Sequence, residues 1–291
     1  MEKRILGVIG GSGVYQIDAL ENPERLELKS PWGEPSSPLI RGVLNGVEAV
    51  FLARHGEGHR LPPHAINFRA NIDVLKRAGV TDLISLSACG SFREELAPGV
   101  FVLVDQFIDR TTTRDKSFFG PGFVAHVSMA HPVCPGLLDA LQAGCMSVGV
   151  TWRRGGVYLA IDGPQFSSLA ESNLYRSWGC DVIGMTNMPE AKLAREAELP
   201  YASVAMVTDY DCWHETEAPV EVEHVLAIMR DNTANAARLI ERVAGRLGPN
   251  RAPSPLGIER TLDAAIITPP DARDPALAAK LDAIAGRVLK T

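Results

Sequence analysis

The feature that most restricts the fold of this chain is a series of short apolar segments, each ending in small, charged or hydroxyl residues. Such segments are typical of buried strands, and they alternate with segments whose apolar residues recur at helical spacing. The predicted strands are 5–9, 47–53, 82–88, 100–105, 157–161 and 202–208, and the predicted helices are 64–78, 134–147, 169–178, 188–198 and 221–247. This alternation predicts an α/β fold with a parallel or mixed sheet flanked by helices.

The same pattern indicates where a ligand should bind. In α/β sheets, ligands lie beyond the carboxyl ends of the strands. Here those ends carry the polar segments 10–13 (GGSG), 54–55 (RH), 89–91 (CGS) and 209–211 (DYD). We therefore expect these four segments to surround one site.

One break in the chain is visible at residues 248–255 (GPNRAPSP), which are rich in Gly and Pro. Residues 1–248 are accordingly predicted to form a single domain, and residues 249–291 a C-terminal tail. Within the tail, the apolar residues of 273–289 recur at helical spacing. This spacing predicts a helix that packs on the body or on a neighbouring subunit.

The composition excludes several classes of protein. The 291 residues are 46% hydrophobic and 22% charged, which is ordinary for a soluble globular chain. The net charge of −6 argues against non-specific binding of nucleic acid. No apolar run approaches the roughly 20 residues of a membrane span, and residues 1–4 (MEKR) do not resemble a secretory leader. Five cysteines without a CxxC pair predict free thiols and a cytoplasmic protein.

Two strand ends have the residue types that bind an anion. The glycines of 10–13 let backbone N–H groups surround an oxyanion, and Ser12 adds a hydroxyl. Gln16 stands where a dinucleotide fingerprint requires Gly, and no P-loop lysine follows. Arg54 offers a guanidinium fork and His55 a further donor. A plain turn and a surface ion pair explain the same residues, so each segment alone leaves both interpretations open.

A metal site has little support in the sequence. His55 and His59 have the spacing of a zinc-binding pair, but Gly56 and Gly58 oppose the helix that such a pair normally occupies. Cys89 has no neighbouring His in the sequence and is predicted to be a buried thiol rather than a nucleophile. We expect no metal.

Asp209, Tyr210 and Asp211 end the last predicted strand. Strand alternation places the two carboxylates on one face, where their repulsion should raise one pKa. A carboxyl group that stays protonated near neutral pH can donate to a ring nitrogen of a leaving group. The spacing also fits a magnesium-binding pair or a solvated strand end, and the residues alone do not decide between the three.

Two other segments carry side chains suited to a nucleoside. Phe166 offers an aromatic face for a planar base, and the hydroxyl of Ser167 follows it. Thr186 can bond an anion, and Met185 can lie along a sugar. Ordinary core packing explains each of them equally well.

Together these segments resemble the purine nucleoside phosphorylase superfamily. The matching strings lie in the order of the family and span about residues 4–245. They are 9–13 (IGGSG), 52–56 (LARHG), 88–91 (ACGS), 105–112 (DQFIDRTT), 163–168 (GPQFSS), 170–172 (AES), 185–186 (MT) and 208–213 (TDYDCW). The resemblance implies a single α/β domain with a mixed, barrel-like sheet, and an assembly of three subunits, with six as the alternative.

The resemblance also implies a reaction and the residues that serve it. Orthophosphate attacks the anomeric carbon of a nucleoside and the purine leaves, with no metal or organic cofactor. The phosphate cradle is assigned by motif to Ser12, Arg54, His55, Ser87, Ala88 and Thr186. The nucleoside contacts are assigned to Met185, Phe166, Ser167, Asp209, Tyr210 and Asp211. Val220 and Val222 fall where the family lines its 5' pocket, and His126 is expected to reach in from a neighbouring subunit.

The two aspartates indicate which purine is released. Asp209 is expected to donate a proton to N7, while Asp211 tunes it and accepts from a 6-amino group. Superfamily members that act on 6-oxo purines carry Asn at the position of Asp209, so this chain resembles the adenine-selective branch. The expected reaction converts 5'-methylthioadenosine and phosphate to adenine and 5-methylthioribose 1-phosphate. The alternatives are a phosphorylase for methylthioinosine or general purine nucleosides, and a non-catalytic nucleoside-binding module.

Overall fold

The computed structural model describes residues 2–11, 18–214 and 222–289, and only the backbone of 222–227. The strands are β1 (Glu2–Lys3), β2 (Ile5–Gly10), β3 (Glu21–Leu26), β4 (Leu39–Leu44), β5 (Val47–Ala53), β6 (Asp82–Ser91), β7 (Phe101–Val104), β8 (Gln106–Asp109), β9 (Trp152–Arg154), β10 (Val157–Ala160), β11 (Val182–Gly184), β12 (Tyr201–Asp209) and β13 (Asn250–Arg251). The α-helices are α1 (Phe68–Arg77), α2 (Pro135–Val148), α3 (Leu169–Ser177), α4 (Asn187–Glu196), α5 (Val222–Leu247), α6 (Pro275–Lys280) and α7 (Gly286–Leu289).

A mixed sheet forms the centre of the molecule, with strands paired in the order β3-β4-β5-β2-β6-β11-β10-β8. Strands β5, β2, β6 and β12 run parallel to one another, whereas β11 is antiparallel to β6. Strand β12 joins β6 to β7, and only Asp105 separates β7 from β8. The pairing therefore returns through β8, β10 and β11 to β6 and closes part of the sheet into a barrel. The predicted mixed, barrel-like α/β fold is confirmed.

Local signals in the sequence set the ends of the flanking helices. The Asn67 side chain accepts from the N–H of Ala70 at 3.1 Å and caps α1. Ser168 and Glu171 form a reciprocal capping box at the start of α3. Gly149 ends α2 in the left-handed conformation, with φ of 78°. None of the helices described in the structure is long and apolar enough to cross a bilayer.

Strands β3, β4, β8 and β9 lie in segments for which the sequence predicts no strand. The β3 residues (ENPERL) are almost all exposed, so they lack the apolar alternation that marks a strand. In addition, β6 continues to Ser91 instead of ending at residue 88, because Gly90 and Ser91 pair with β11. The continuation brings the end of β11 against the end of the parallel strands.

The tail folds back on the body of the molecule. Strand β13 pairs with β1, and the side chains of Leu281 and Ile284 are buried in the main core. The single helix predicted for 273–289 is wrong: two short helices, α6 and α7, are separated by a turn. Their apolar residues nonetheless face the core, as the spacing indicated. The domain boundary at residue 248 stays a prediction.

Candidate active site

A cavity of about 240 Å³ opens at the edge of the sheet where β2, β5 and β12 end. It brings together residues that are far apart in the sequence but were predicted to share one site. Those that line it are Arg54, His55, Ser87, Ala88, Phe166, Ser167, Met185, Thr186, Asp209 and Asp211. The strand ends therefore meet at one cavity, as the strand-end argument predicted, and the assignment of this cavity as the site stays a prediction.

Two predicted site residues that the structure describes do not line this cavity. Tyr210 stacks on His214, and its hydroxyl donates to the carbonyl of Glu94 at 3.1 Å. His126 is exposed, and its backbone N–H donates to the carbonyl of Ala265 at 2.8 Å. Three further predicted residues are not placed: Ser12 and Val220 lie outside the described residues, and only the backbone of Val222, at the start of α5, is described.

A β-bulge and a turn bring the two aspartates together. The register of β12 against β6 shifts between Val207 and Asp209, which re-aims the end of the strand. Asp211 lies beyond the strand in the left-handed region, with φ of 54°, and its N–H donates to Oδ1 of Asp209 at 2.8 Å. Alternation along one strand is therefore the wrong explanation for their proximity. Gly90 is required beside them, because a Cβ there would lie 2.8 Å from Asp209 Oδ1.

Asp211 is a member of the pair whose pKa is raised in the folded protein. Burial, followed by the charge of Asp209, raises the pKa of Asp211 to about 6. The Asp209 carboxylate also accepts from the Thr208 hydroxyl at 2.7 Å. The pair therefore includes one carboxyl group that titrates near neutral pH, as predicted for this pair of residues.

Arg54 is held by a buried carboxylate that the sequence analysis did not identify. Its Nε and Nη2 donate to Glu190 at 2.7 and 3.0 Å, and both side chains are almost fully buried. Nη1 donates to the carbonyl of Leu86, and Nη2 also reaches Ser85 Oγ. Among the described residues, one N–H of Nη1 is left for a ligand. The sequence analysis expected the guanidinium fork of Arg54 to face an oxyanion, but two of its three nitrogens donate to Glu190 instead.

His55 contributes a neutral ring to the cavity. Its Nδ1 lies 2.9 Å from the carbonyl oxygen of Leu61, which can only accept, so Nδ1 carries a proton. Burial, and then the nearby Arg54 charge, lower the pKa of His55 to about 4 despite that hydrogen bond. At neutral pH Nε2 is therefore an acceptor, whereas the sequence led us to expect a further donor.

A buried polar network connects Glu190 to the cavity wall. The Tyr201 hydroxyl donates to Glu190 at 3.0 Å and accepts from the Asn187 amide at 3.1 Å. The Ser87 hydroxyl donates to Asn187 Oδ1 at 2.9 Å. The sequence contained a signal for this network, because Glu190 shares a helix face with Leu193 and Ala194. A lone acid on an apolar face indicates a buried partner.

The described residues contain no group of three or more side chains arranged to hold a metal ion. The rings of His55 and His59 stack with centroids 4.2 Å apart and planes at 8°. Stacked parallel rings do not aim their nitrogens at a common ion. That no metal is required stays a prediction.

The two ends of the cavity have different chemistry. One end offers hydroxyl and guanidinium donors, including Thr186, whose side chain makes no capping bond to α4. The other end offers the exposed ring of Phe166, the aspartate pair and Ser167. The Ser167 hydroxyl oxygen is buried and has no partner among the described residues. Such a cavity can hold an oxyanion at one end and a planar heterocycle at the other.

The sequence matches known proteins over its full length. The family model of the phosphorylase superfamily matches residues 5–244. The S-methyl-5'-thioadenosine phosphorylase of Bradyrhizobium diazoefficiens is 58% identical over 290 residues, which cover 100% of both chains. The protein of the same name from Cereibacter sphaeroides is 59% identical and covers 99% of each chain.

The fold matches solved structures as well. A methylthioadenosine phosphorylase sourced from an antarctic soil metagenomic library superposes with a TM-score of 0.92 at 42% identity, covering 98% of this chain and 99% of that chain. The methylthioadenosine phosphorylase of Schistosoma mansoni in complex with adenine superposes with a TM-score of 0.81 at 34% identity, covering 86% and 93%. The chain belongs to the phosphorylase superfamily.

Proposed function

We propose that this chain is an enzyme that converts 5'-methylthioadenosine and orthophosphate to adenine and 5-methylthioribose 1-phosphate. The observation that carries the proposal is that the Asp209–Asp211 pair lines the same cavity as Thr186 and Arg54. The relatives named above, with identities near 60% over the whole chain, support the same substrate. The reaction needs phosphate as a co-substrate and no cofactor.

The bond changes match the two ends of the cavity. As the bond from the anomeric carbon to N9 breaks, its electron pair passes to the purine, and a phosphate oxygen forms the new bond to carbon. The anion stabilises the cationic sugar, and a proton delivered to N7 stabilises the leaving base. Hydrogen phosphate loses its own proton on becoming an ester, so the proton balance closes.

The described side chains fit these roles. Thr186 and the second N–H of Arg54 Nη1 are proposed to donate to phosphate, and Met185, which also lines the cavity, is proposed to contact the ribose. Phe166 stacks on the base. Asp209 is the proposed proton donor to N7, and Asp211, whose pKa burial raises to about 6, is proposed to tune it.

An adenine-release assay tests the reaction. Purified protein is incubated with 5'-methylthioadenosine in phosphate-free buffer and in phosphate, and adenine is measured through a coupled oxidase. We expect release only with phosphate, and a smaller rate with inosine than with 5'-methylthioadenosine. Release that does not need phosphate would mean a hydrolytic nucleosidase and would overturn the proposal.

The two carboxylates are assigned separate roles by substitution. We expect Asp209→Asn to lower kcat on 5'-methylthioadenosine more than Asp211→Asn, because Asp209 is the group proposed to face N7. The readout is kcat for adenine release at saturating phosphate. If Asp209→Asn left turnover intact, Asp209 would not be the donor.

We further propose a homotrimer in the cytoplasm, in which His126 of each subunit completes the 5' pocket of its neighbour. His126 is exposed and lies outside the cavity of its own chain, which supports a role between subunits. Sedimentation velocity measures the assembly, and cell fractionation the location. Mixing inactive His126→Ala and Asp209→Asn subunits should restore part of the activity, since mixed trimers contain intact shared sites. No restoration after subunit exchange would overturn the shared pocket.

A further inference from the structure

Arg114 lies behind the cavity wall and joins two loops. Its side chain is only 2% exposed. Nη1 donates to the carbonyl oxygens of Met185 at 2.7 Å and Met188 at 2.6 Å. Nη2 donates to the carbonyl oxygens of Ile161 at 3.2 Å and Asp162 at 2.9 Å. The four N–H groups of the two terminal nitrogens are therefore divided equally between the loops.

These loops carry the two ends of the site. The first connects β11 to α4 and includes Met185 and Thr186, whereas the second follows β10 and leads to Phe166 and Ser167. They are in direct contact, because a Cβ on Gly163 would overlap the sulfur of Met185. The way the loops meet therefore sets the separation between the phosphate donors and the base pocket.

The hydrogen bonds of the Arg114 guanidinium go to backbone carbonyls. Its Nε forms an ion pair with Asp162 Oδ1 at 3.5 Å but makes no hydrogen bond to the described residues. The other oxygen of Asp162 accepts from the N–H and the hydroxyl of Thr112. The ring of Phe68 supports the guanidinium from behind, with its centroid 5.1 Å away. Arg54, by contrast, donates two hydrogen bonds to the carboxylate of Glu190.

We propose that Arg114 is a positioning residue that fixes the spacing of the phosphate and base ends of the site. The inference rests on the proposed phosphorolysis. A planar fork can serve two loops at once, whereas the ammonium of Lys is a single point with three donors. Because Met185 and Met188 flank Thr186, loss of the fork affects the phosphate end most.

The test compares Arg114→Lys with Arg4→Lys. Arg4 is also a buried arginine, and its Nη1 donates to the carbonyls of Gly248 and Asn250, but it lies at the opposite end of β2. We expect both variants to be less stable than the wild type in urea. Only Arg114→Lys should raise the KM for phosphate, by about tenfold, with a smaller rise for the nucleoside, as is typical of a misplaced binding group.

Two results would overturn the inference: unchanged KM values in folded Arg114→Lys, or equal changes in Arg4→Lys. If Arg114→Lys does not fold, Phe68→Leu is the second variant, because it removes the ring that packs against the Arg114 guanidinium. An unchanged KM for phosphate in Phe68→Leu would also contradict the inference. If the wild type released no adenine in phosphate, the proposed function would fail. Calorimetric titration with inorganic phosphate and with adenine would then test the positioning role of Arg114 independently of turnover. Weaker binding of both ligands by Arg114→Lys, but not by Arg4→Lys, would support that role.

Discussion

Glu190 controls how much of the charge of Arg54 reaches the cavity. Burial alone would lower the pKa of Arg54, but the adjacent Glu190 side chain raises it above its usual value, so Arg54 stays charged. A buried pair of this kind is costly to break, because removal of one partner leaves the other without a counter-charge. Phosphate therefore meets a guanidinium whose net charge has already been neutralised.

Substitution of Glu190 by Gln should make phosphate a stabilising counter-ion. We expect Glu190→Gln to lower the free energy of unfolding by about 3–5 kcal/mol. Inorganic phosphate should then raise the free energy of unfolding more in Glu190→Gln than in the wild type, because a ligand that binds only the folded state stabilises it. Urea unfolding with and without phosphate, at constant ionic strength, measures both effects.

Asp82→Asn is the matched control for this experiment. Asp82 is also a buried carboxylate paired with arginines, Arg4 and Arg251, but it begins β6 at the end of the sheet opposite the cavity. Asp82→Asn should lose stability without gaining any phosphate response. An equal phosphate response in both variants would contradict the role given to Glu190.

The stability of the protein should depend on pH through Asp211. Its pKa is about 6 in the folded state, against an ordinary value of 3.8 for an Asp in the unfolded chain, so the folded state holds an additional proton between these pH limits. Unfolding free energy consequently falls as pH rises from about 4 to 6, by on the order of 3 kcal/mol for this group alone. Asp211→Asn does not titrate, and Asn tolerates the left-handed backbone at this position.

We therefore expect Asp211→Asn to be more stable relative to the wild type at pH 8 than at pH 4.5. Urea unfolding of both proteins at the two pH values gives the comparison. A difference between the two proteins that is the same at both pH values would show that Asp211 has no raised pKa.

At the scale of elements, the end of β11 is positioned by its contact with β10. Gly184 ends β11 directly before Met185, and a Cβ at this position would overlap the hydroxyl of Tyr158 on β10. That hydroxyl is buried beside the Ser87 side chain and the backbone of Thr186. The absence of a side chain at 184 thus lets Tyr158 pack beneath the loop that carries Thr186.

Gly184→Ala should destabilise the fold by about 1–3 kcal/mol through overpacking. It should also weaken phosphate binding, because β11 must move and carries Met185 and Thr186 with it. Tyr158→Phe removes the overlapping oxygen and should recover part of the loss, while Tyr158→Phe alone should cost little. Gly286→Ala, with no atom near its Cβ position, is the control. Thermal unfolding at increasing phosphate concentrations measures stability and phosphate binding in the three single variants and the double variant. If Gly184→Ala had the stability and the phosphate response of the wild type, the argument would be refuted.

The sequence predicted the longer strands whose burial is uniform, and it missed exposed strands such as β3 and very short ones such as β11. Buried strands such as β2 and β12 are continuous apolar runs, so they were found to within two residues. Strand β3 is exposed and charged, and only its pairing with β4 makes it a strand. Hydrogen bonding to a neighbour leaves no trace in the hydrophobic pattern.

The site residues likewise divide into those that the sequence identified and those that it did not. Arg54 and the aspartates follow strand ends and family motifs, so they were identified from the sequence. Glu190 and Arg114 were not, because their roles arise from contacts across 136 residues for Glu190 with Arg54 and about 70 residues for Arg114 with Met185. Such contacts exist only once the sheet has brought the segments together. The apolar face of α4 indicates that Glu190 has a buried partner but not which one, and Arg114 lies in no motif with a recognisable spacing.

At the scale of the whole molecule, the tail is part of the same core as the body. Glu198, just after α4, accepts from Nε and Nη2 of Arg287 at 2.9 and 2.6 Å and from the N–H of Leu262 at 2.9 Å. Ile284 is 2% exposed and belongs to the core cluster that includes the central strands. The tail therefore contributes to the stability of the sheet on which the site depends.

Substitution of Ile284 by Ala should lower the free energy of unfolding by about 2–5 kcal/mol, since it removes buried methyl groups and leaves a cavity. Ile267 lies in the same tail but is 62% exposed, so Ile267→Ala should change stability by less than about 0.5 kcal/mol. Urea unfolding monitored by tryptophan fluorescence gives both values, and one cooperative transition is expected because tail and body share a core. A separate early transition in Ile284→Ala, with the main transition unmoved, would mean that the tail unfolds independently and that the shared core does not couple it to the sheet.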